Sequence, residues 1–294
     1  MSDPGETAQS NAPIASAGPW PFITRRTYVL SDNSRVIWRS RDHRKGLRRI
    51  KVHRFAAIGG HLLRALWMPR QLNWWIATVF ALGASLFILG SLLILAPAIG
   101  QPWGLQESAA NAVFFAGSIP FTTAAYLQLF QAANVREFLP QGSAKPGRTA
   151  VFGWRPHNIG WLSCALQLPG TVLFNFNTFD AMLPGLNWIE QDLEIWVPNF
   201  IGSILFLASG YLAFTETCHA HFAWKPAHIS WWVTFSNLFG CVGFMISAVF
   251  AFVPPEPLPF DAVTISVFFT LLGAGGFLVG SVLMLPETAR PEKT

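Results

Sequence analysis

Residues 74–87 read WWIATVFALGASLF, residues 161–174 read WLSCALQLPGTVLF and residues 231–244 read WWVTFSNLFGCVGF. Each stretch is uncharged and keeps the spacing W-x8-G-x3-F without a gap: Trp74, Gly83, Phe87; Trp161, Gly170, Phe174; Trp231, Gly240, Phe244. An ionised side chain at a bilayer centre costs about 2.5–3.5 kcal/mol on insertion scales, so charge-free runs mark candidate membrane spans. Six such runs exist, bounded by Arg70 and Glu107, Glu107 and Arg136, Arg155 and Asp180, Glu194 and Glu216, Lys225 and Glu256, and Asp261 and Glu287. Even the shortest, residues 195 to 215, crosses a hydrocarbon core of about 30 Å as a helix rising about 1.5 Å per residue. Helices are predicted near residues 73–96, 110–131, 158–179, 196–216, 230–252 and 262–285. No segment alternates apolar and polar residues as a membrane barrel would require.

Composition agrees. Of 294 residues 52% are apolar and 12% charged, whereas a soluble domain carries about a quarter charged. Neither a soluble globule nor a disordered chain fits those proportions. Cys164, Cys218 and Cys241 lie in or beside apolar segments and make no disulfide framework.

All 20 Lys and Arg lie before the first span, between spans two and three, between four and five, or after the last. The other loops carry Glu107, then Asp180, Glu190, Asp192 and Glu194, then Glu256 and Asp261. The positive-inside rule therefore predicts that both termini are cytoplasmic, and it accounts for the +5 net charge without nucleic acid. The first 72 residues lack an apolar signal-peptide core, so the first span is expected to act as its own insertion signal.

The even-numbered spans share G-x3-F, as Gly117 and Phe121, Gly202 and Phe206, Gly273 and Phe277. Spans four and six end on Glu216 and Glu287, with Gln131 at that place in span two. The expected fold is thus an all-α membrane protein of six transmembrane helices. They form three parallel two-helix hairpin repeats over residues 73–131, 158–216 and 230–287. Each Trp is expected at the boundary with its N–H wet, and each Gly where a neighbouring backbone comes close.

Before the spans, residues 1–20 are expected to be a disordered tail and residues 21–72 a basic cytoplasmic segment. In that segment Thr27 to Trp38 reads as a short hairpin around an Asp32-Asn33 turn. Residues 46–70 read as a basic amphipathic helix whose Arg48, Arg49, Lys51 and Arg54 would meet anionic lipid of the inner leaflet.

Catalytic motifs do not emerge: the sequence holds no phosphate loop, H-E-x-x-H or paired CxxC. Glu216, Cys218, His219, His221 and His228 are ligand types suited to zinc or copper, but juxtamembrane histidines are more often solvated, and no metal is assigned. Asn175, Asn199 and Asn237 are neutral polar groups within spans that would either bond between helices or line a passage.

The repeated unit, a Trp-led helix with G-x3-F followed by a helix with Gly-Ser-Ile-x-Phe and a trailing Glu, resembles the YrhK-like domain, a small two-helix membrane module of bacteria. The run Arg35-Val36-Ile37-Trp38-Arg39-Ser40-Arg41 through Gly46 is similar to the region preceding the spans in longer members. The resemblance covers about residues 21 to 287 and implies a bacterial inner-membrane protein without an assigned activity. Gln131 departs from its pattern. The leading expectation is a non-enzymatic structural or regulatory membrane protein contacting lipid or a protein partner. The alternative is a channel or carrier for a small neutral solute, and an enzyme ranks third.

Overall fold

The computed structural model describes residues 12–47, 66–104, 109–140, 148–256 and 258–289. Three short strands, β1 (Ala15–Ala17), β2 (Arg25–Val29) and β3 (Arg35–Arg39), lead into a one-turn helix, α1 (Ser40–Arg44). Six long helices follow: α2 (Leu72–Leu95), α3 (Ala110–Ala133), α4 (Ile159–Asp180), α5 (Trp188–Cys218), α6 (Ile229–Phe250) and α7 (Ala262–Thr288). All six are long and apolar enough to cross a membrane, so the chain has the make-up of a multi-pass membrane protein in contact with a lipid bilayer.

The strands form an antiparallel sheet in the order β1-β2-β3. The hairpin of β2 and β3 turns where Asp32 Oδ1 accepts the Ser34 N–H at 2.9 Å and Asn33 takes a positive φ, as the Asp-Asn pair suggests. The tail differs from expectation: instead of staying unstructured to residue 20, Ala15–Ala17 pair with Arg25–Thr27, because the outer edge of β2 offers unpaired backbone groups that a strand of any composition can use. The amphipathic helix expected over 46–70, with Arg48, Arg49, Lys51 and Arg54, falls mostly outside the described residues.

Helix α5 starts eight residues before the expected 196. Asn187 Oδ1 accepts the N–H groups of Ile189 and Glu190, each at 3.0 Å, while Glu190 Oε2 accepts the Asn187 N–H at 2.8 Å, a reciprocal capping box. The helix dipole favours acids in this first stretch, so Glu190, Asp192 and Glu194 begin the helix rather than preventing it. Residues Gln191–Trp196 are wound as a π-helix before regular geometry resumes at Val197.

The helices form a closed ring in chain order, with α7 returning against α2. Leu82, Ile119, Val172, Ile201, Val242 and Val279, one from each helix, are exposed on the outside, where lipid would lie. Inside, paired helices interlock through the same two residue types. A Cβ on Gly83 would stand 2.7 Å from the Phe121 ring and one on Gly117 2.9 Å from Phe87. The same exchange occurs between Gly170 and Phe206 (2.9 Å) and Gly202 and Phe174 (3.0 Å), and between Gly240 and Phe277 (2.6 Å) and Gly273 and Phe244 (2.7 Å). Each glycine admits the phenylalanine of its partner helix, and the rings converge. Phe87, Phe121, Phe174, Phe206, Phe244 and Phe277 are all buried and touch edge to face, stacked or tilted, with centroids 4.8–6.4 Å apart, from Phe174–Phe206 to Phe121–Phe244.

The tryptophans differ from expectation. Trp74, Trp161 and Trp231 are buried, and their N–H groups donate to carbonyls of the preceding segment rather than to water: Leu66 at 3.0 Å, Phe152 at 3.0 Å and Ala223 at 2.8 Å. Each also meets a second Trp seven residues earlier, Trp67, Trp154 or Trp224, edge to face at 4.8–5.4 Å. Each helix entry is thereby pinned to the chain that leads into it.

Candidate functional site

Where β3 runs into α1, a short polar segment sinks into the end of the ring. Ser40, Arg41, Arg44 and Lys45 are all buried there, against α4 and facing the last turns of α5 and α7. Glu216 and Glu287 are fully buried. Arg44 Nη2 donates to Glu216 Oε2 at 2.7 Å and Ser40 Oγ to Glu216 Oε1 at 2.5 Å. Arg41 Nη2 reaches both oxygens of Glu287 at 3.0 and 3.1 Å, and Lys45 Nζ reaches Glu287 Oε2 at 3.4 Å. The third helix end makes the neutral counterpart of these contacts. Gln131 Nε2 donates to Asn73 Oδ1 at 2.9 Å, and Asn73 Nδ2 donates to the Lys45 carbonyl at 2.7 Å. Gln131 therefore needs no charge, because a carbonyl rather than a guanidinium is the group to be held.

Three cations face two carboxylates in this cluster. Burial, then the nearby Arg41, pulls the Lys45 amine down to about 8. Burial also opposes the charge of Arg44, but Glu216 more than offsets it and holds the guanidinium protonated beyond the ordinary arginine range. Gly160, on the first turn of α4, leaves the room this needs: a Cβ there would collide with Arg44 Nε and Glu216 Oε1. Beneath the cluster lies a cavity of about 50 Å³, whose lining includes Arg41, Arg44, Gln167, Asn237, Phe206 and Phe277.

At the opposite, distal end the ring opens into a vestibule of about 650 Å³ to which all six long helices contribute, with Phe87, Phe174 and Phe244 in its lining and Glu256 and Asp261 as its charged groups. The six-phenylalanine layer lies between vestibule and inner cavity.

That arrangement separates the asparagines expected to share a passage. Asn175 Nδ2 donates to Thr122 Oγ1 at 2.9 Å between α4 and α3. Asn199 lines the distal vestibule, and Asn237 lines the inner cavity on the other side of the phenylalanines. The continuous polar path is not formed, since the large ring of each G-x3-F motif occupies the axis. The possible metal ligands are likewise dispersed. Glu216 is taken by Arg44 and Ser40, Cys218 Sγ faces the Ala223 carbonyl, His219 Nδ1 bonds Thr24 Oγ1 at 3.0 Å and His221 Nδ1 bonds the Tyr211 hydroxyl at 3.0 Å. His228 lies where α6 begins. Among the described residues no three His, Cys, Asp or Glu side chains converge on a metal position.

Sequence reading missed the Arg41, Arg44 and Lys45 cluster, taking those cations for part of a basic cytoplasmic segment, Glu216 for a possible metal ligand and Glu287 for the end of a helix. The available signal was the register of the trailing Gln131, Glu216 and Glu287 together with cations spaced at 41, 44 and 45, one helical turn. No family model, curated protein or solved structure matches this chain.

Proposed function

We propose that this is a non-enzymatic membrane protein of structural or regulatory role, a closed bundle whose N-terminal domain is locked over its proximal end and sensed there. The observation that carries the reading is the buried ion-pair cluster joining Arg41, Arg44 and Lys45 to Glu216 and Glu287. Taking charges from water into a protein interior is costly and adds little net stability, so here the pairs are read as fixing one arrangement of the domain on the helices. A soluble segment fixed in this way reports the state of the helices it grips. The shared Gly–Phe interlock, Trp anchors and trailing Gln131, Glu216 and Glu287 support three parallel hairpins over 73–131, 158–216 and 230–287. On the same motifs we group the chain with YrhK-like proteins of the bacterial inner membrane. The distribution of Lys and Arg supports cytoplasmic termini.

The phenylalanine layer favours this role over solute passage. Purified protein in proteoliposomes tests it by light scattering after an osmotic step with glycerol or urea. The expected permeability equals that of protein-free vesicles, and faster solute entry would refute a closed bundle.

A further inference from the structure

Beside the ion-pair cluster is a second polar cleft, of about 140 Å³, between the N-terminal domain and the chain that links α5 to α6. Arg25, Arg39 and Arg41 line it from the sheet side, and Lys225, His219 and Ser230 from the bundle side. Asp42 is the carboxylate in the lining. Lys225 Nζ spends one donor on the Cys218 carbonyl at 2.7 Å and keeps two. The cleft sits at the start of α6, where the first-turn N–H groups carry the positive end of the helix dipole and no side chain caps them. Ser230, in that first turn, is 6% exposed, yet its hydroxyl has no hydrogen-bond partner. Arg41, 5% exposed, has an unpartnered Nε. A buried hydroxyl without a partner is costly, and here it stands among cations at a helix start.

We propose that this cleft is a phosphate-binding site, taking either the headgroup phosphate of an anionic lipid or the phosphate of a soluble phosphomonoester. The chemistry asks for several acceptor oxygens on one compact anion. Ser230 Oγ and the α6 N-terminus would bind one edge, while the forked guanidinium of Arg25 and the ammonium of Lys225 would bind the outer oxygens. The volume is several times the roughly 30 Å³ that one water occupies in the liquid, enough for a tetrahedral anion. Because the ligating groups come from both sides, the bound anion would bridge the N-terminal domain to the bundle. The neighbourhood agrees: burial and then the nearby cations Lys225 and Arg39 pull the His219 imidazole down to about 4, as expected of an electropositive recess.

The test uses full-length protein in two arms. In phosphatidylcholine nanodiscs, glycerol 3-phosphate is titrated by calorimetry. In nanodiscs containing phosphatidic acid without soluble phosphate, retained lipid is counted by native mass spectrometry. Saturable one-to-one binding is expected in one arm, which identifies the source of the phosphate. Arg25→Gln and Ser230→Ala are each expected to weaken it about tenfold or more, the loss of one charge-assisted or buried hydrogen bond. Arg155→Gln, on a different loop, should leave it unchanged. Arg25 is exposed and Ser230→Ala removes one atom, so folding should survive either change; circular dichroism matching the parent checks this. Absence of saturable binding in both arms, or binding indifferent to Arg25→Gln and Ser230→Ala, would overturn the site.

Discussion

Changing Glu216 to Gln tests the lock between the N-terminal domain and the helices. The Glu216 side chain is fully buried, its Arg44 partner is 5% exposed, and the two meet at 2.7 Å. With an effective dielectric constant of 20, two unit charges at that distance attract by about 6 kcal/mol, before the cost of removing them from water. Glutamine keeps the shape and one oxygen but removes the charge, and Arg44, held protonated, cannot shed its own. Breaking a buried pair from one side costs about 3–5 kcal/mol, and the Ser40 hydroxyl loses a charged acceptor as well. Reversible unfolding in mild detergent, followed by tryptophan fluorescence, should show that loss. In addition, a spin-label pair on Asn33 and Ala227 should change from one sharp distance to a broad distribution. The double change Arg44→Met with Glu216→Leu removes both charges and should recover most of the stability, because no buried charge is left unpaired. A Glu216→Gln variant within about 1 kcal/mol of the parent, the value ordinary for an exposed pair, would refute a buried ion lock. So would a double variant as unstable as the sum of its parts.

Gly240→Ala should destabilise the α6–α7 pair by about 1–3 kcal/mol, since the new Cβ would meet Phe277 at 2.6 Å and the Gly273 carbonyl at 2.7 Å. Gly275→Ala, with open space around it, should be neutral or slightly stabilising in the same unfolding assay. Lys45 supplies a pH signature. Its amine is lowered to about 8 from 10.5, so between those values the unfolded chain binds more protons than the folded one. Stability should therefore rise as pH goes from 8 towards 10.5, and Lys45→Met should flatten that rise. Trp231→Phe should cost about 1 kcal/mol, because the Ala223 carbonyl loses its 2.8 Å indole donor and keeps only the weak Cys218 thiol, whereas Trp103→Phe, on an exposed distal loop, should cost nothing measurable.

The spans were legible because one physical term, the cost of charge in hydrocarbon, dominates their placement, and five of the six helices begin within a residue of expectation. The exception, α5, begins early because a local capping box at Asn187 outweighs three acids that hydropathy reads as a loop. The glycine and phenylalanine spacing was visible, but what it builds was not: the period reveals that Gly83 and Phe121 recur, not that each fits into the other across a helix pair. The W-x-P-x4-W pattern at Trp67, Trp154 and Trp224 was present in the letters too, and its meaning rests on edge-to-face packing that no spacing reveals. The buried cluster was hidden for a different reason. Arg41 and Glu287 are 246 positions apart, and a cation in a basic segment looks solvated until the fold brings a carboxylate to it. Asn175, Asn199 and Asn237 were misleading because depth in a span does not determine which side of an aromatic layer a residue occupies.

Cysteine accessibility in intact cells tests most directly whether the chain is a six-span bundle gripped at one end by its N-terminal domain. Single cysteines replace Gln101, Pro184, Pro259, Asn33, Arg148 or Ala227 in a background lacking the three native thiols. A membrane-impermeant maleimide should label Gln101→Cys, Pro184→Cys and Pro259→Cys from outside, and should reach the other three only after the membrane is opened. Labelling of Asn33→Cys or Ala227→Cys together with Pro184→Cys in sealed cells would contradict the arrangement.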